Sequence, residues 1–224
     1  MRRDAKGILA IWHDIRPDRE ADTLDWYDRE HHAERLSVPG FLSARRHHAV
    51  AGRPKLFIRY ETTGPEVLGS APYLARINGP TDWTLRAQPT IVDTVRTVYR
   101  IADRRGAAEG GLVATLRFEP RAEAPAPTDA AWRPLADAAE ATRSILAAEF
   151  WIADRERTGL PSREKELRGA PDSQAGAAIA IHASALAPLE AFLAEHVPQV
   201  AAHAVGAPEV GIYALVFAAE TGWN

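Results

Sequence analysis

The sequence predicts an α+β fold in which two units, each with the element order βαββαβ, follow one another along the chain. Two observations predict this fold. Short strand-forming runs and helix-compatible stretches occur in the same order twice, with a period of about 105 residues. A polar, glycine-bearing link separates the copies. We therefore expect a first unit at 1–104, a link at 105–110 and a degenerate second unit at 111–224, within the 224 residues of the chain.

The first unit is predicted from its apolar runs and from the residues that interrupt them. Its four strand patterns cover 7–13, 41–50, 56–61 and 90–101. A helix-compatible stretch begins at Pro17 and is ended by Pro39 and Gly40, and a broken helix is predicted over 65–78. This order is that of the split βαβ, or ferredoxin-like, unit.

The second unit repeats the order with different side chains. Its predicted strands cover 112–118, 145–154, 177–182 and 210–218, and its predicted helices cover 129–143 and 186–204. A single four-stranded sheet with helices on one face leaves its other face bare. Packing two such sheets face to face buries both, so we expect an intramolecular barrel-like core of eight strands.

The composition excludes several classes of protein. With no cysteine the chain has neither a disulfide nor a thiol nucleophile, and a reducing compartment is its natural location, so we expect a cytoplasmic protein. A net charge of −3 argues against nucleic acid as a partner. No apolar run approaches the ~18–20 residues that span a bilayer, so no membrane partner is expected.

Candidate chemistry is concentrated in the segment 26–41, WYDREHHAERLSVPGF. On a helical wheel at ~100° per residue, His31 lies on the apolar stripe, whereas His32 lies on a solvated flank. We therefore expect His31 to be the more buried of the two and to face a cavity as a general acid or base. The alternative is a structural histidine that holds the helix against the sheet.

Cations alternate along the strands that follow. Arg45 and His47 share one face of the second strand, while Arg59 and Arg96 lie on the next two. These side chains form either a solvated positive rim or a cavity that attracts an anionic small molecule, with Arg45 stabilising its charge.

Aromatic side chains of the first unit are candidates for binding such a ligand. Tyr60 or Tyr73 is the candidate for orienting it beside His31, because a tyrosine hydroxyl can hydrogen-bond a carbonyl. The candidate substrate-binding residues are Trp12, Tyr27, Tyr73 and Trp83. The alternative is that these rings simply fill the core. The segment 80–84, PTDWT, has a turn-like composition and is a candidate lid.

Cofactor motifs are missing from the sequence. His13, His31, Glu34 and His47 are suitable metal ligands by type, but they follow no recognised spacing, so we expect no metal. No glycine-rich nucleotide loop and no G-x-S-x-G elbow occurs. We therefore expect a protein that works without a cofactor.

Parts of the first unit resemble the dimeric α/β-barrel superfamily. They are the segment 26–41, the following RRHHAVAGRPKLFIRYE at 45–61, and the closing PTDWT and VRTVYRI. The nearest relatives look like the EthD-like proteins and related uncharacterised bacterial proteins. The resemblance covers 7–102 in sequence and 111–218 in element order only. It implies two ferredoxin-like units packed sheet to sheet, with a ligand pocket between the sheet and the helices of a unit.

The resemblance leaves several functions open. Members of the superfamily include cofactor-free monooxygenases, isomerases, polyketide cyclases and haem-handling proteins, so the fold alone does not assign an activity. One interpretation is a cofactor-independent enzyme acting on an aromatic or polyketide-like substrate. The alternatives are a non-catalytic binder with a closed pocket, and a haem-binding protein. Because each unit already has its partner in the chain, we expect a monomer or a homodimer.

Overall fold

The computed structural model describes residues 4–121 and 132–222, and its strands form a closed antiparallel barrel. The described strands are β1 (Gly7–Ile15), β2 (Phe41–Ala51), β3 (Leu56–Thr62), β4 (Ile91–Gly106), β5 (Leu112–Phe118), β6 (Ile145–Ala153), β7 (Ala177–Ala183) and β8 (Glu209–Glu220). Around the barrel they lie in the order β1-β3-β2-β8-β5-β7-β6-β4. This confirms the predicted α+β fold.

Both halves of the chain have the same strand order, β4-β1-β3-β2 in the first and β8-β5-β7-β6 in the second. Two seams join them, one where β2 pairs with β8 and the other where β4 pairs with β6. Arg104, Arg105 and Gly106 still belong to β4 and pair with β6. The division of the chain at 105–110 stays a prediction.

The helices cover the outside of the barrel. They are α1 (Glu20–Trp26), α2 (His32–Leu36), α3 (Ala71–Asn78), α4 (Asp82–Ala87), α5 (Trp132–Ala141), α6 (Arg155–Gly159), α7 (Arg163–Leu167) and α8 (Leu186–Ala202). A π-helical turn, Tyr27–His31, joins α1 to α2. The predicted turn at 80–84 includes the start of α4, and 129–131 of the predicted helix lie outside the described residues. No described helix has the length and apolar character needed to cross a membrane.

Alternation along the strands divides the side chains between two environments. In β1, Ile8, Ala10 and Trp12 belong to a core cluster inside the barrel, which contains residues from both halves. Leu9 belongs instead to the core between the first sheet and its helices. A period of two places successive residues on opposite faces, so the first half has an inner face toward the second half and an outer face under its own helices. The second half has an equivalent helix-covered core.

Candidate functional site

The helix that covers the first sheet is irregular at the point where the candidate histidines lie. The backbone N–H of His32 donates to the carbonyl of Tyr27, which is the i to i+5 bond of a π turn. This wider turn changes the phase of the residues that follow it. His31 and His32 are consequently both buried, with 4% and 1% of their surfaces exposed. The predictions that His32 lies on a solvated flank and that His31 is the more buried of the two are therefore wrong.

Two tyrosine–histidine pairs connect this helix to the sheet. The Nδ1 atom of His32 lies 2.8 Å from the hydroxyl of Tyr60, and the hydroxyl of Tyr27 lies 3.0 Å from Nε2 of His13. Burial lowers the pKa of His32 to about 3, with Arg46 adding to the effect, and burial lowers the pKa of His13 to about 4. Both rings are therefore neutral near pH 7 and act as hydrogen-bonding partners of the tyrosines.

His31 has a different environment. Its ring lies 4.1 Å from the ring of Trp26, centroid to centroid, and meets Tyr27 edge to face at 5.4 Å. Burial, and then the positive charge of Arg35, keep the pKa of His31 well below its usual value. Within the described part of the chain, Nδ1 of His31 has no hydrogen-bond partner. A buried polar atom without a partner costs free energy, which makes it a candidate contact for a ligand.

One turn after His31, Arg35 lies fully buried. Its Nη2 atom donates to Oε1 of Glu164, and the guanidinium lies 5.9 Å from the ring centre of Tyr73. Glu164 belongs to α7 and therefore comes from the second half of the chain. Burial by itself would lower the pKa of Arg35, but Glu164 overrides it and raises that pKa above the usual range. The ion pair thus connects the two halves over the candidate site.

A second arginine approaches from β4. Nη2 of Arg96 donates to the hydroxyl of Tyr73 at 3.0 Å. Among the described residues, Nη1 of Arg96 and Nη1 of Arg35 find no hydrogen-bond partner, although both side chains are buried. Two buried guanidinium donors are therefore available beside His31.

These side chains surround a small cavity between the first sheet and its helices. Its volume of about 30 Å³ accommodates roughly two water molecules. The polar lining consists of Tyr27, His31, Arg35, Tyr60, Tyr73, Gln88, Thr94, Arg96, Glu164 and Arg168. Chemically, the cavity combines a neutral imidazole, phenol hydroxyls and an excess of guanidinium groups. It can accept a proton from a ligand and stabilise a negative charge on that ligand.

The structure brings together four of the residues singled out from the sequence and places three elsewhere. His31, Tyr60, Tyr27 and Tyr73 all line the cavity. Trp83 packs against the same core. Trp12 lies inside the barrel, where its Nε1 donates to Oγ1 of Thr115 at 3.1 Å, because it alternates onto the inner face of β1.

Arg45 also points away from the cavity, because it lies on the inner face of β2. It donates to Glu220 at 2.6 Å and to Glu109 at 3.2 Å. Arg59, on the same side of β3, pairs with Glu109 and lies 3.3 Å from Glu149. These arginines therefore form neither a solvated rim nor part of the cavity, since they are neutralised inside the barrel.

Sequence reasoning did not assign roles to Arg35, Arg96, Gln88 and Glu164. The spacing of four residues between His31 and Arg35 puts both on one helix face and is a usable signal. Arg96 was only one of several alternating cations. Glu164 lies 129 residues from Arg35 along the chain, and no local pattern connects the two.

No metal centre is formed within the described ranges, since no three of their His, Asp or Glu side chains converge in a way that could hold an ion. No family model matches the sequence, and no curated protein matches it.

Comparison with solved structures identifies the fold. An anthrone oxidase-like protein superposes with a TM-score of 0.65 over 99% of this chain and 95% of its own, at 13% sequence identity. A predicted monooxygenase from Fusobacterium nucleatum gives 0.57 over 97% and 96%, at 9% identity. This chain has the dimeric α/β-barrel fold. Its barrel is closed by two halves of one chain.

A third barrel of this kind comes from Listeria monocytogenes. It is an uncharacterised ferredoxin-fold protein related to antibiotic biosynthesis monooxygenases, with a TM-score of 0.51 over 95% of this chain and 96% of its own, at 8% identity. At such low identities the likeness establishes the barrel and not its chemistry.

Proposed function

We propose that this barrel is a cofactor-independent enzyme that removes a proton from a small aromatic or polyketide-like substrate bound beside His31. The observation that carries the proposal is the meeting of a buried, neutral histidine with two buried arginines, each of the three having a polar atom without a partner among the described residues. Such an arrangement suits a ligand that gives up a proton and becomes an anion.

The proton-transfer step uses only groups of this chain and the substrate. Neutral His31 accepts a proton from an acidic C–H or phenol O–H, and the electron pair of that bond stays on the substrate as an enolate or phenolate. The Nη1 donors of Arg35 and Arg96, which have no partner among the described residues, stabilise the new negative charge. Because burial and Arg35 make the protonated histidine costly, the developing substrate charge has to offset that cost by attracting the imidazolium.

Two outcomes follow from the carbanion. In an isomerase or cyclase, His31 returns the proton to a different atom or the carbanion attacks a carbonyl of the same molecule. In an oxygenase, the carbanion reduces dioxygen and combines with it, and the resulting hydroperoxide loses water, so that CH₂ and O₂ become C=O and H₂O. The anthrone oxidase-like and monooxygenase neighbours support the oxygenase as the first reaction to test.

A haem-binding protein is an alternative. The cavity of about 30 Å³ admits neither a porphyrin nor an aromatic substrate unless the pair of Arg35 and Glu164, which closes it on one side, separates. The volume therefore does not distinguish haem from substrate, and the proposed steps use side chains alone.

The proposal is tested by following oxygen uptake and product formation with two substrates, an anthrone and an anthrone carboxylic acid. We expect the His31→Gln variant to lose activity by ~10²–10⁴-fold, the usual contribution of a general base. His203→Gln is the matched control, because His203 lies at the end of α8 in the second half and away from the cavity lining. Equal rates for His31→Gln and the unmodified protein would refute the role of His31.

A non-catalytic binder is the second candidate, and the small volume of the cavity favours it. The same variant separates the two. In a binder, ligand affinity depends on His31 but no product forms with or without dioxygen.

We further propose that the chain is a tandem duplication related to the EthD-like proteins, since both halves share one strand order.

A further inference from the structure

The cavity beside His31 is covered by a segment of the second half. Residues 155–172 connect β6 to β7 and contain α6 and α7. Glu164 of α7 lies against Arg35, and its second oxygen, Oε2, accepts a hydrogen bond from Nε2 of Gln88 at 3.3 Å. The guanidinium of Arg35 in the first half is thus bound by the carboxylate of Glu164 from the second half of the same chain.

The same segment is anchored by a second arginine. Arg168 forms two hydrogen bonds with Asp172, at 2.9 and 2.6 Å, and donates to Oε1 of Gln88 at 2.9 Å. Gln88 therefore bonds both Glu164 and Arg168. These contacts hold the α7 end of the segment on the first half through polar side chains, while its α6 end is held at β4, where the backbone N–H of Val98 donates to Oγ1 of buried Thr158 at 2.9 Å.

Two surface grooves flank the closed cavity and share residues with it. One, of about 500 Å³, includes Arg168 in its lining, and the other, of about 530 Å³, includes Arg96. Both grooves are also lined by Ala170 and Pro171 of the covering segment. Movement of this segment would join the small cavity to spaces large enough for an aromatic molecule.

The charges around the cavity define what could replace Glu164. Three guanidiniums line it, those of Arg35, Arg96 and Arg168, against one lining carboxylate. Displacement of Glu164 would leave the charge of Arg35 buried without compensation, which is strongly unfavourable. A ligand that enters must therefore bring an anion, and the planar fork of arginine suits a carboxylate, the group that Glu164 already places against Arg35.

We propose that Arg35 is the carboxylate-binding subsite of the His31 cavity, that Glu164 occupies it in the closed state, and that the substrate is a carboxylic acid whose carboxylate displaces Glu164. This inference rests on the proposed function, because it names the substrate class of the same site. Nη1 of Arg35 and Nη1 of Arg96, without partners among the described residues, supply donors for a ligand oxygen beyond those that Glu164 uses.

The test measures binding and not turnover. Benzoate is titrated by calorimetry into the unmodified protein and Glu164→Gln, with benzyl alcohol as the neutral probe of similar size. If the open state is populated at about 1–10%, removing the internal competitor strengthens benzoate binding by about 10- to 100-fold, and benzyl alcohol changes little. Glu166→Gln is the matched control, because Glu166 lies on the same helix but pairs with exposed Arg163 at the surface.

Two further variants make the result decisive. In Arg35→Gln/Glu164→Gln both charges are removed together, and we expect the gain in benzoate affinity to disappear. If Glu164→Gln by itself is unfolded, benzoate but not benzyl alcohol is expected to restore cooperative thermal unfolding. Unchanged benzoate affinity in folded Glu164→Gln, an equal gain for benzyl alcohol, or no rescue of an unfolded variant would each overturn the proposal.

Failure of this inference is distinguishable from failure of the proposed function. Loss of turnover in His31→Gln, together with unchanged benzoate affinity in Glu164→Gln, would support the catalytic role of His31 and refute the carboxylate subsite. A gain in benzoate affinity in Glu164→Gln, without turnover by the unmodified protein, would support the carboxylate subsite and refute the catalytic role of His31.

Discussion

Acidification is expected to destabilise this protein well above the pH at which most carboxylates titrate. Four histidines of the first half, His13, His31, His32 and His47, are buried. Burial, the largest cause in each case, lowers their pKa values, to about 4 for His13, to about 3 for His32 and His47, and well below the usual value for His31. In the unfolded chain, each histidine titrates near pH ~6.5.

The sign of the effect follows from proton binding. Below pH ~6.5 the unfolded state binds more protons than the folded state, so the free energy of unfolding falls as the pH falls. This contribution is complete above pH ~6.5 and is lost progressively down to the folded pKa values. Between about pH 7.5 and pH 5.5 each histidine contributes a loss of roughly 1.4 kcal/mol, and the four together about 5 kcal/mol. That is a large fraction of the ~5–15 kcal/mol typical of folded proteins.

Urea denaturation at about pH 7.5 and pH 5.5 measures this difference directly. Replacing His47 by Gln is expected to reduce the difference by about one quarter, because one of four titrating groups is removed. His203→Gln is the control, since His203 is only half-buried. The buried carboxylate of Glu149 affects stability at lower pH. Burial would raise its pKa, but His182 and then Arg59 outweigh burial and lower the pKa to about 2, so its contribution is lost only below its ordinary value of 4.5. Equal stability at the two pH values would refute the reasoning.

Two other substitutions test the packing of polar groups. Arg59→Met is expected to lower the free energy of unfolding by about 3–5 kcal/mol, because Glu149 loses a fully buried partner. Arg100→Met, on the exposed surface of β4, is the control and is expected to change that free energy by less than about 0.5 kcal/mol. A stable Arg59→Met variant would show that the remaining partners of Glu149 suffice. Tyr60→Phe is expected to cost about 1–3 kcal/mol, because Nδ1 of buried His32 loses its partner. Urea denaturation measures both, and an unchanged midpoint for Tyr60→Phe would contradict the assigned hydrogen bond.

The sequence by itself determined the strands of this protein and their order. Runs such as 56–61 and 112–118 were predicted within one residue of the observed β3 and β5, because strand patterns depend on local alternation and on nearby turns. The twice-repeated order then left few ways to bury the bare sheet faces, so the closed barrel was also predictable. The two short helices α6 and α7 were missed, because segments of five residues have too few turns to show a periodic pattern.

Only the tertiary structure decided which side chains meet at the site. The π turn at Tyr27–His31 changed the helical phase and buried His32 with His31, whereas a wheel drawn at a constant angle cannot represent such a turn. Alternation showed that Arg45 and His47 share one face of β2, but whether that face lies inside the barrel depends on how the two halves pack. Glu164 reaches Arg35 across 129 residues of sequence, because the second half folds over the first. Contacts of that range arise from chain topology, for which local sequence patterns carry no signal.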